Sequence, residues 1–151
     1  MARAGPMPPP KQKAETMLKI AQILSGVLAL ALFAFGAIYL FIPESAASAR
    51  GFEPIGEYGL TNVRQLAATF VTLGILAAIG AVRQNFLFLV PAALFFLVSL
   101  VIRFIGIAVD GADATTVRVI VPAIILFVVA EFAVQVFKRS AADQQRQSIE
   151  A

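Results

Sequence analysis

The chain contains no cysteine, no histidine and no tryptophan. Without cysteine there is no disulfide, no thiolate metal site and no thiol nucleophile. Without histidine the commonest metal and haem ligand is gone, together with the usual proton carrier near neutral pH. Without tryptophan, any interfacial aromatic belt falls to Tyr39, Tyr58 and the phenylalanines. Charge is scarce as well: Asp, Glu, Lys and Arg make up 14 % of 151 residues, against roughly 25 % in a soluble domain. A nucleophile–base pair, a phosphate loop and a metal set are all missing from the sequence. The expectation is therefore a protein that is not an enzyme and holds no cofactor or metal.

What is present is apolar. Hydrophobic residues reach 60 % of the chain, where about 45–50 % is usual. A soluble core cannot use that much apolar surface, whereas a bilayer can. The net charge of +3 would suit nucleic acid, but the cations are spread over helix ends with no basic stripe. The expected partner is the lipid bilayer, with no nucleic acid.

Four apolar runs organise the chain into an all-α, integral-membrane, four-helix up-down bundle. The helices are expected over about 20–42, 62–82, 86–108 and 115–136 within a transmembrane domain of 15–139. Ile20 to Ile42 alone spans 23 residues, or roughly 34 Å of helix against a ~30 Å hydrocarbon core. Residues 1–14 hold four prolines and three cations and read as a disordered cytoplasmic tail. Residues 140–151 read as a polar cytoplasmic tail. A signal peptide is the rival reading of the N-terminal run, since Ala47-Ser48-Ala49 resembles a cleavage site. A signal h-region is only about 7–15 residues long, shorter than this run. Residues 43–61 read as a loop, Asn62 as the N-cap of the second helix, and 83–85 as a tight turn. Pro91 is expected to kink the third helix.

Placing both termini and the 83–85 turn inside gathers eight of the twelve cations there. Positive-inside therefore favours N-in and C-in in a bacterial inner membrane.

The polar residues within the runs are few. The second helix carries small residues, among them Gly74, Ala78 and Ala81, spaced for close helix packing. That face is expected to serve interhelical packing, or association with itself or other membrane proteins. Gln65 and Thr69 form a polar seam on the same helix. Arg64 opens it at the outer interface, where snorkelling is easy. Arg103 lies deeper and its Cα–Cβ bond leans toward the bilayer centre, so either a bent, snorkelling stem or a partner within the bundle must satisfy it. Ser99 sits one turn away on the same face. Glu131 is the acid buried deepest in a span, and Gln135, Lys138 or Arg83 suits it better than Arg103, which lies too far away in depth. Glu57, Asp110 and Asp113 could balance Arg64, Arg103 and Arg118 at the outer mouth.

The blocks LTNVRQLAATFVTLGILAAIGAVRQ, LVIRFIGIAVDG and AEFAVQVF resemble the bacterial family catalogued as domain of unknown function 4345, itself distantly similar to DoxX-like proteins. The matching positions are Arg64, Arg103 with Gly106, Asp110 and Gly111, and Glu131. Asn62, Val63 and Ile102 depart from its pattern. The resemblance implies a four-helix membrane protein and supplies no mechanism. Two functions follow as expectations. The first is a structural or accessory component. The alternative is a carrier or small-molecule or lipid binder, with a polar pocket near the outer face built from Arg64, Arg103, Glu131, Gln65, Thr69 and Ser99.

Overall fold

Pro43 ends the first apolar run, as its missing N–H and fixed φ require, yet the chain turns back onto the bundle there instead of leaving it. The computed structural model describes residues 11–51, 53, 56–111 and 114–150. In chain order the helices are α1 (Lys11–Phe41), α2 (Pro43–Ser48), α3 (Gly56–Arg83), α4 (Val90–Asp110) and α5 (Ala114–Glu150). Four of them are long and apolar enough to cross a membrane, and only the short α2 is not. The architecture is an all-α, up-down four-helix bundle.

Helix α1 is its centre. It packs along α3 on one side and α5 on the other, and α4 leans on α5. Leu28, Leu32 and Tyr39 of α1 are fully buried in the shared core, with Ala77 of α3, Leu89 before α4, and Phe137 of α5. Buried Ser25 donates to the Ala21 carbonyl one turn earlier at 2.8 Å, so it needs no partner elsewhere. Between α1 and α3 the backbones approach closely. A Cβ placed at Gly36 would sit 2.7 Å from Val71 Cγ2, and one at Gly74 would meet the Phe33 ring at 3.3 Å. The small-residue face of α3 is thus consumed inside the chain. Gly74 and Ala81 are buried and Ala78 half-buried, which corrects the expectation that this face could receive a second copy or another protein.

Several boundaries differ from the sequence reading, each for a local reason. Helix α1 begins at Lys11, so Lys11–Ala14 are helical instead of disordered; the strong helix formers of KQKAETMLK extend the apolar run outward. The rest of the expected tail lies outside the described residues. Helix α3 begins at Gly56, which places Asn62 within the helix and not at its cap. Pro91 sits in the first turn of α4, where its missing N–H has no intrahelical acceptor to lose, so no kink follows. Asn85 shapes that entry, its side chain accepting from the Leu87 N–H at 3.0 Å. Helix α5 runs on to Glu150 because nothing in SAADQQRQSIE breaks a helix. In the Ala47-Ser48-Ala49 stretch, Ala47 is buried and Ser48 exposed within α2, and Ala49 is exposed at its C-cap.

Candidate functional site

Tyr39, near the end of α1, is 1 % exposed and stacks on Phe70 of α3 with ring centroids 5.4 Å apart and planes 14° from parallel. The other face of this arrangement comes from α2. After Ser48 the chain makes a tight turn, with the Arg50 N–H donating to the Ala47 carbonyl at 2.9 Å and the Gly51 N–H to Ser48 at 3.0 Å. Gly51 closes the turn at φ 81°, a left-handed conformation that glycine adopts without strain. The Arg50 guanidinium is thereby laid over Tyr39, its Cζ 5.0 Å from the ring centroid, within the range of a cation–π contact.

A cavity of about 320 Å³ opens beside this stack. Its polar lining consists of Tyr39, Arg50, Ser99, Arg103 and Arg118, drawn from α1, the α2 turn, α4 and α5. Arg103 stands seven residues before the end of α4, about 10 Å below that helix end at 1.5 Å per residue. Its Cα–Cβ bond leans back toward the middle of the bundle. The guanidinium is half-buried, and Nε is fully buried with no hydrogen-bond partner. The hydroxyl of Tyr39 is buried and unpartnered in the same way. Leaving a buried donor unsatisfied costs about 1–3 kcal/mol each. Both side chains line the cavity, with these two atoms closed off from its open space. Among the described residues that line it, none is acidic.

The sequence-predicted residues divide. Arg103 and Ser99 line the cavity, and Thr69 lines a second space between α3 and α4 that Arg103 and Ser99 also border. Arg64 and Gln65 are exposed and line neither space. Helical phase contributes: α3 buries Val63, Ala67 and Phe70 toward the bundle, and Arg64 and Gln65 lie outside that inward set. Glu131 is half-buried and accepts from Gln135 Nε2 at 2.6 Å, away from both spaces. Of its expected partners, Gln135 is the one found. Glu57 and Asp110 are exposed and absent from the cavity wall; Asp113 lies outside the described residues. Tyr39 and Arg50 were missed as site residues. Their signal was present, since Arg50 is the lone cation of an acidic loop and Tyr39 the lone tyrosine within an apolar run.

Three guanidinium groups, a phenol and a hydroxyl on the wall are hydrogen-bond donors of the kind that suit an oxyanion. No known protein family, curated protein or solved structure matches the chain.

Proposed function

We propose that this protein is an integral inner-membrane protein that binds, and carries or presents, a small anionic molecule or lipid head in the cavity beneath α2. The observation that carries this reading is the convergence of Arg50, Arg103, Arg118 and Tyr39 on one cavity with no described acid, where Arg103 Nε and Tyr39 Oη are buried without partners. A purely accessory bundle has no use for that arrangement. In hydrocarbon an arginine costs about 3 kcal/mol or more at mid-depth, and such residues usually mark a ligand path or a paired site. We also propose kinship with the family of unknown function 4345, whose Arg103 position lies in the cavity and whose Glu131 position lies outside it.

The test uses purified full-length chain and butyl phosphate as a water-soluble probe, read as a ligand-dependent rise in unfolding temperature. Arg50→Gln and Arg118→Gln should each weaken binding about tenfold or more, since a charge-assisted hydrogen bond contributes about 1.5–3 kcal/mol. Arg64→Gln and Glu131→Gln should leave it unchanged, because neither side chain reaches the cavity. No shift with any oxyanion would return the protein to an accessory role.

The same reading puts α2 on the periplasmic side, with both termini in the cytoplasm. Ser48 is exposed on α2, and the chain has no native thiol. A Ser48→Cys variant should therefore react with a membrane-impermeant maleimide in intact spheroplasts. Labelling that required lysis would reverse the topology.

A further inference from the structure

The cavity does not end at Arg103. Helices α3 and α4 touch sparsely, and the space between them is a cleft of about 750 Å³, more than twice the 320 Å³ of the cavity. Phe95, Ser99 and Arg103 belong to the walls of both, so the two spaces share one side. From Arg103 the cleft follows α4 back to Pro91. Those twelve helical steps span about 18 Å along the helix axis. Apart from Thr69 of α3, its remaining walls are apolar: Leu73 from α3 and Leu94, Val98 and Ile102 from α4. Leu94, Val98 and Ile102 are 56 %, 47 % and 63 % exposed, so the cleft is open along its flank. Charge is confined to one end.

We infer that the occupant is a single-chain lipid with a phosphate-monoester head, entering sideways from the bilayer between α3 and α4. The head binds Arg50, Arg103 and Arg118 while the chain lies in the cleft toward Pro91. This inference rests on the anion-binding reading above and specifies its ligand. Three features select the class. The groove is long, apolar and charged at one end only, which matches a molecule with one head and one tail. Three cations without a described acid among them suit a head of about −1.5 to −2 charge, as a phosphate monoester carries near neutral pH. The open flank faces the surface that hydrocarbon would cover, so the chain can slide in without crossing water. A soluble anion would need none of the cleft.

The experiment measures binding of radiolabelled butyl phosphate to the full chain in phosphatidylcholine nanodiscs, and its displacement by unlabelled alkyl phosphates of increasing tail length. Displacement should strengthen steadily from butyl to hexadecyl phosphate in the unmodified chain. Val98→Trp and Thr69→Trp, which fill the cleft from its two walls, should each weaken hexadecyl phosphate about tenfold, the loss of roughly two methylene contacts. Both should hold butyl phosphate as before, which also certifies that they fold. Affinity independent of tail length, or tail dependence untouched by either tryptophan, would overturn the lipid assignment while leaving the anion site standing. Failure of the unmodified chain to bind butyl phosphate would overturn both.

Discussion

Arg103→Leu is expected to make the bundle harder to unfold and, at the same time, to abolish its affinity for an oxyanion. The two effects have one origin. Arg103 Nε is buried without a partner, so the empty protein carries a desolvated donor that leucine would remove. The gain in stability should be about 1–3 kcal/mol, the usual penalty of an unsatisfied buried polar group. Denaturant titration in micelles would read it as a higher midpoint with unchanged slope. Binding of butyl phosphate should fall about 100-fold, or about 2.8 kcal/mol at 1.4 kcal/mol per tenfold. Arg103→Lys would keep the charge but lose the planar fork, and should recover only part of the affinity. If Arg103 were instead a structural post, Arg103→Leu would lower both the midpoint and the yield of folded protein. Stability bought at the expense of binding is the pattern of a functional polar residue in an apolar frame.

The four long helices were legible from hydropathy alone, because a run of twenty or more apolar residues has few other readings. Their ends were not. Lys11–Ala14 and the stretch after Arg139 are polar enough to look like tails, yet they continue α1 and α5 because helix propensity persists once a helix is nucleated. The candidate site was half legible. Arg103 and Ser99 announce themselves as polar residues inside an apolar run, and both line the cavity. Arg64, an interfacial residue by sequence, was also expected in the pocket, but its placement depends on which flank of α3 faces inward, and that is set by the packing of Val63, Ala67 and Phe70 against neighbours not adjacent in sequence. Arg50 was hidden for the opposite reason. It lies in what reads as a loop, and only the turn closed by Gly51 carries it back over Tyr39.

The site depends on how closely α1 and α3 approach, and Gly36 sets that distance. A Cβ there would sit 2.7 Å from Val71 Cγ2, with the Ala67 carbonyl oxygen 3.5 Å away. Valine is short and branched, so it has little room to yield, and the backbone behind it has none. Gly36→Leu should therefore destabilise the bundle by about 3 kcal/mol, at the upper end of the usual range for overpacking. Gly26→Leu is the matched control. A Cβ at Gly26 meets nothing within 4 Å, and replacing glycine within a helix gains up to about 1 kcal/mol from propensity alone. Its unfolding midpoint should hold or rise. The consequence for function follows from position. Gly36 lies three residues before Tyr39, whose ring stacks on Phe70 across the same α1–α3 contact. Pushing the helices apart opens that stack and withdraws the phenol from Arg50 and the cavity. Gly36→Leu should thus lose butyl phosphate binding together with stability, whereas Arg103→Leu loses binding and gains stability. Measured side by side, an unfolding midpoint and a binding curve for each variant separate the residue that holds the cavity open from the residue that fills its need for charge.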